Sequence, residues 1–174
     1  MIISSYYHKG VIFGMNEELN LEELQEKAKT LARGYFREGL NCAECVLKSF
    51  LDLGLTGYSE DILALATGFG GGIGHTRNDC GSVLGAVLAI GTVKGRKNPM
   101  EKETLAERIQ QLQGENGIYK TFQGLVDEFT QRYGTIVCNE LSSGYEWEGK
   151  QRKKNCQELI GYCAELAVKY ALSK

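Results

Sequence analysis

The sequence predicts an all-α fold: a single-domain helical bundle of about five to six helices with one buried central helix. Two observations carry this. Apolar residues recur at three- and four-residue spacing behind N-cap signals, and no segment alternates apolar and polar as a half-buried strand does. The 174-residue length suits one domain. The helical pattern assigns residues 17–174 to that domain and leaves 1–16 as an N-terminal arm.

Asn20 caps the first helix, and Glu23 closes a capping box. Leu21, Leu24, Ala28, Leu31, Ala32 and Tyr35 form its apolar stripe, and Gly39 ends it. Asn41 and Glu44 repeat the box, ahead of an apolar face of Ala43, Val46, Leu47, Phe50 and Leu51. After a turn at residues 54–58, Ser59 caps a short apolar helix. Five glycines among residues 68–74 then predict a loop or tight crossing, since glycine costs a helix up to ~1 kcal/mol per residue. The run from Cys80 to Gly91 is apolar on nearly every side and reads as the central helix, the most buried of the set. Gly81, Gly85 and Ala89 give it a small-residue stripe against which another helix can lie closely. Pro99 marks the next helix start. An amphipathic stretch runs from there to Tyr133, broken at residues 114–117, and its polar half from Glu101 to Glu115 projects from the core. The last helix runs from about Arg152 to Leu172.

Composition removes several function classes. The net charge of −2 and pI near 5.8 leave no electrostatic footprint for nucleic acid. Lys150, Arg152, Lys153 and Lys154 read as a solvated basic face. No apolar run approaches the ~20 residues of a membrane span, and residues 1–15 do not read as a secretory signal. These features predict a cytoplasmic protein. With two histidines, His8 and His75, a Ser-His-Asp hydrolase or a two-histidine metalloprotease is poorly supported. The glycine loop lacks the Gly-Lys-Ser/Thr of a P-loop, and no strand precedes it.

Six cysteines remain to be explained in a chain large enough to fold without staples. Cys42 follows Asn41, Cys80 follows Asp79 and Cys156 follows Asn155, so each reads as opening a helix behind a preferred cap. For Cys156 the alternative is a helix already begun near Lys150. A helix N-terminus favours thiolate over thiol. Cys163 lies on an apolar helix face and reads as packing, as does Cys45. Cys42 and Cys45 also form a Cys-x-x-Cys pair, able in principle to attack and resolve a disulfide. Val46 after Cys45 removes the haem-attachment motif, and no second Cys-x-x-Cys completes a zinc ribbon.

The segments Asn41-Cys42-Ala43-Glu44, Gly68 to Gly74, Cys80-Gly81-Ser82-Val83-Leu84-Gly85-Ala86 and Cys138-Asn139-Glu140-Leu141, with Cys156 after them, resemble the C-GCAxxG-C-C family of redox-active proteins. Ser82 stands where that motif usually has Ala. A similar domain occurs in split-Soret cytochromes, without their haem motif here. The resemblance implies four key cysteines, Cys42, Cys80, Cys138 and Cys156. Cys138 is included on that ground alone. It also implies an iron–sulfur cluster, 2Fe–2S favoured, that transfers electrons to a redox partner protein whose identity is unknown. A homodimer is compatible. Two rivals stand beside this reading: a thiol–disulfide protein working through Cys42 and Cys45, and a non-catalytic zinc module on the same four cysteines. Two structural expectations follow: the four sulfurs converge, and Gly70, Gly71 and Gly72 lie against them.

Overall fold

The computed structural model describes residues 20–173. The predicted arm at 1–16, with His8, lies outside them. Seven α-helices and one 3-10 helix follow in order among the described residues: α1 (Leu21–Arg37), α2 (Cys42–Asp52), the 3-10 helix (Glu60–Phe69), α3 (Gly81–Lys94), α4 (Leu105–Gln113), α5 (Tyr119–Tyr133), α6 (Cys138–Leu141) and α7 (Lys150–Leu172). The all-α reading holds: these residues contain no named strand, only an isolated antiparallel bridge between Asp79 and Val137.

Both predicted capping boxes form. Asn20 Oδ1 accepts the Glu23 N–H, and Glu23 returns a bond to the Asn20 N–H. Asn41 Oδ1 accepts from Ala43 and Glu44, and Glu44 accepts from the Asn41 N–H. Helices α1, α2, α3 and α7 pack together around Ala32, Val46, Leu47, Phe50, Ala86, Ile90, Ile160 and Ala167. Helix α3 has no exposed residue from Gly81 to Thr92, but α2 is equally covered from Cys42 to Leu51. The centre is therefore shared, and α7, which touches α1, α2, α3 and α5, joins its parts.

The small-residue stripe does what its spacing predicts. A Cβ on Gly85 would stand 2.7 Å from the Ala43 carbonyl oxygen, and one on Gly81 would stand 2.5 Å from that of Phe69. Both neighbours are backbone and cannot rotate away. Gly85→Ala is expected to cost about 1–3 kcal/mol through overpacking. Gly91→Ala, in the same helix with open space around it, should gain up to ~1 kcal/mol from helix propensity. Opposite shifts in denaturant midpoint check this pair.

Two helix starts and one helix type differ here from the sequence reading. Helix α4 starts at Leu105 and not at Pro99, because Thr104 and Glu107 form a capping box five residues later. Its polar character does make it project: no residue of α4 is buried, and Leu105 is 70% exposed. Ser59 stands at the predicted cap position, but its hydroxyl hydrogen-bonds Asp61, and the element it opens is a 3-10 helix. Helix α7 begins at Lys150 behind Gly149, so Cys156 lies in its second turn and does not open it.

The glycine segment is a left-handed turn. Residues 71–75, namely Gly71, Gly72, Ile73, Gly74 and His75, all have φ between 59° and 73°. The chain is pinned there by Ile73 N–H to Phe69 O, Arg77 N–H to Gly71 O and Asn78 N–H to Gly72 O. Glycine adopts this path freely, whereas the β-branched Ile73 costs about 1–2 kcal/mol. Ile73→Gly should therefore raise stability by a few tenths to ~1 kcal/mol, measured by urea unfolding.

Candidate metal centre

Each of the four cysteines named by the motif sits on a different element. Cys42 is the first residue of α2. Its cap is braced from the 3-10 helix: Asn41 Nδ2 donates to the Thr67 carbonyl at 3.1 Å, and the Thr67 hydroxyl donates to Glu44 at 2.8 Å. Cys80 is itself the N-cap of α3, where the sequence reading put Asp79. Asp79 pairs instead with Val137 across the bridge. That bridge places Cys80 beside Cys138. The Cys80 N–H donates to Ile136 O at 2.8 Å and the Cys138 N–H to Asn78 O at 2.7 Å. Strand alternation then puts both cysteine side chains on one face of the bridge. Cys138 opens α6, a helix start with no cap residue to announce it.

The glycine turn lies against this group, as expected. A Cβ on Gly72 would stand 2.8 Å from Cys138 Cβ, and the Gly71 backbone N–H favours the Cys42 thiolate. Cys42 and Cys156 line a cavity of about 160 Å³ together with Gly70, Gly71, His75, Trp147 and Arg152. His75 meets Trp147 edge to face, with ring centroids 5.8 Å apart.

Charge relations tie the four together. The Cys42 thiol is pushed up by burial first, then by Cys80 and Cys156. Cys156 is pushed up to about 11, by burial against the pull of Arg152, with Cys80 and Cys138 adding to the rise. Cys138 is raised by burial and by Cys80, while the Ser142 hydroxyl, Arg152 and Arg77 pull the other way. The expectation that a helix start favours the thiolate is therefore not met at Cys42, and Cys156 does not open a helix at all. Loss of hydration opposes the thiolate more strongly than the local helix field favours it. Among the described residues, no three His, Cys, Asp or Glu side chains stand where they could hold one metal ion between them. The thiols are neighbours, but they are not drawn around a single centre.

Cys45 and Cys163 are both fully buried. Cys45 Sγ donates to the Leu40 carbonyl at 3.5 Å, and burial pushes this thiol up to about 12. Burial thus opposes the thiolate at both members of the Cys42/Cys45 pair. Cys163 is closer to the site than its reading as packing implied. It lies two turns beyond Cys156 on α7, and Cys80 and Cys42 both raise its thiol further.

Sequence reasoning missed four partners of the sulfurs. They are the Gly71 N–H, the Ser82 hydroxyl 3.6 Å from Cys80 Sγ, the Ser142 hydroxyl and Arg152. Arg152 leaves the solvated face assigned to it, and its Nη1 donates to Cys156 Sγ at 3.5 Å. The signal was present: Arg152 and Cys156 are four residues apart, which is one side of one helix.

The described residues form an all-helical protein in which Cys42 and Cys156 line one cavity and Cys80 and Cys138 flank one bridge. The chain belongs to the C_GCAxxG_C_C family, described as "Putative redox-active protein", whose model matches residues 40–170. It is similar to an uncharacterized protein of Archaeoglobus fulgidus, 23% identical over 148 residues, which span 84% of this chain and 94% of that protein. No solved structure matches it. Among the described residues no helix is long and apolar enough to cross a membrane.

Proposed function

We propose that this redox-family protein holds an iron–sulfur cluster, with 2Fe–2S the favoured form, on Cys42, Cys80, Cys138 and Cys156. The observation that carries the reading is the gathering of four cysteines from four elements: the Asp79–Val137 bridge sets Cys80 beside Cys138, Cys42 Cβ lies against Gly81 next to Cys80, and Cys42 and Cys156 line one cavity. Two irons and two sulfides span a wider thiol set than one zinc tetrahedron with ~2.3 Å bonds does. A cluster so held supplies one-electron transfer.

The chain's own residues do the rest. Cys80 Sγ donates to the Ser82 hydroxyl, which can turn its own proton to the sulfur once Cys80 is a thiolate, while the Gly71 N–H and the Ser142 hydroxyl favour the thiolates of Cys42 and Cys138. Donors at sulfur stabilise the thiolate and raise the reduction potential. The left-handed glycine turn brings backbone close to Cys138 where no side chain would fit. The reading puts the protein in the cytoplasm, where thiols stay reduced and available to iron. Its partner is a one-electron donor or acceptor protein.

Anaerobic purification followed by iron and acid-labile sulfide assays tests this. Equal amounts are expected, about two of each per chain, with visible absorption from sulfur-to-iron charge transfer. Stoichiometric zinc, or a colourless protein without iron, would exclude the cluster.

A further inference from the structure

We infer that Arg152 is a positioning residue of this site, held by Trp147 so that its guanidinium supplies the fixed positive charge and an N–H···S donor at Cys156. The inference rests on the iron–sulfur reading and names what sets the poise of the site.

Three contacts fix the guanidinium. Its Nη1 donates to Cys156 Sγ at 3.5 Å. Its Nε donates to the Trp147 carbonyl oxygen. Its central carbon stands 3.9 Å from the centre of the Trp147 ring. Among the described residues Arg152 forms no ion pair with a carboxylate. Its charge is therefore not already neutralised by one of them. Arg152 also lines the cavity that Cys42 and Cys156 line, so its charge stands beside two of the four cysteines. Arg77 stacks over the same ring at 4.2 Å.

The geometry requires arginine. One group must donate to a backbone carbonyl, donate to a sulfur and stack on an indole at once. A planar guanidinium with donors on separate nitrogens does this, whereas an ammonium on a flexible stem does not. Reduction adds negative charge beside this cation, so Arg152 stabilises the reduced state more than the oxidised one.

The test is an anaerobic spectroelectrochemical titration of the loaded protein and its Arg152→Gln, Arg152→Lys, Trp147→Leu and Lys153→Gln variants. In Arg152→Gln the equilibrium against a fixed mediator should move about tenfold toward the oxidised form, a fall of ~59 mV for one electron. Arg152→Lys and Trp147→Leu should fall less. Lys153→Gln removes an equal charge from the exposed neighbouring position and should fall least. Equal shifts in Arg152→Gln and Lys153→Gln would overturn the inference, as would no shift with iron and sulfide intact. If Arg152→Gln does not load, Trp147→Leu decides: a lowered potential supports the role, and an unchanged one removes it. A wild-type protein without iron and sulfide overturns both this inference and the function it rests on. A loaded wild type with an unshifted Arg152→Gln overturns the inference alone.

Discussion

Replacing Cys42, Cys80, Cys138 or Cys156 by Ser is expected to abolish iron and sulfide content, while helical circular dichroism stays near wild type. A serine hydroxyl is a hard, strongly basic donor and a poor substitute for thiolate on iron. Three of the four lie at helix starts or at the bridge, so the small Cys→Ser change leaves the helix interiors untouched. Cys45→Ala should cost about 1–2 kcal/mol of packing and leave loading intact, because its sulfur faces the Leu40 carbonyl inside the core. Cys163→Ala should also retain its cluster, though its closeness to Cys80 and Cys42 allows a shifted potential. Iron per chain, scored across the six variants, checks the series. Full iron in Cys80→Ser would remove Cys80 from the ligand set.

Loading should release protons and should strengthen as pH rises. Burial raises the Cys42, Cys138 and Cys156 thiols in the metal-free protein, so these three enter as neutral thiols near pH 7. Iron must displace those protons, and anaerobic reconstitution in weak buffer should release about one proton for each of the three thiols. The metal-free protein carries the complementary liability. Its unfolded chain loses thiol protons near the ordinary value of 9.0, while folded Cys156 keeps its proton to about 11 and Cys45 to about 12. The folded state therefore binds more protons in that window, and stability falls as pH rises through it. Cys156 alone should cost about 2–3 kcal/mol by pH 11. Urea midpoints of metal-free protein between pH 8 and 11 test this. A flat profile would show that the thiols are hydrated in solution.

Local chemistry was legible in the sequence, and long-range pairing was not. Asn20 with Glu23, and Asn41 with Glu44, each close a hydrogen-bonded ring within four residues, so their spacing alone specifies it. The Gly81–Gly85 stripe was readable because absent side chains have one plain consequence, a close neighbour, which proved to be α2 and the end of the 3-10 helix. The Asp79–Val137 bridge had no such signal. It is a single pair between distant segments, with no alternating run on either side. Through it Cys138 acquires its place beside Cys80, which the resemblance supplied and spacing did not. The α7 start was misplaced because Gly149 caps with its backbone and offers no side-chain acceptor to recognise. Arg152 was hidden by its neighbours, because with Lys150, Lys153 and Lys154 it reads as one solvated basic face although its spacing from Cys156 puts the two on one side of a helix. The thiol pKa directions were misread for another reason: sequence shows a helix terminus, but not how deeply it is buried.

The central claim, one iron–sulfur centre on four named cysteines, is tested most directly by iron-edge X-ray absorption on anaerobically prepared protein. The account predicts a first shell of sulfur at ~2.3 Å, a distance typical of metal–thiolate bonds, and an iron neighbour beyond it, both lost in the Cys80→Ser and Cys156→Ser proteins. A first shell of nitrogen or oxygen, or an iron signal unchanged by either substitution, would contradict it.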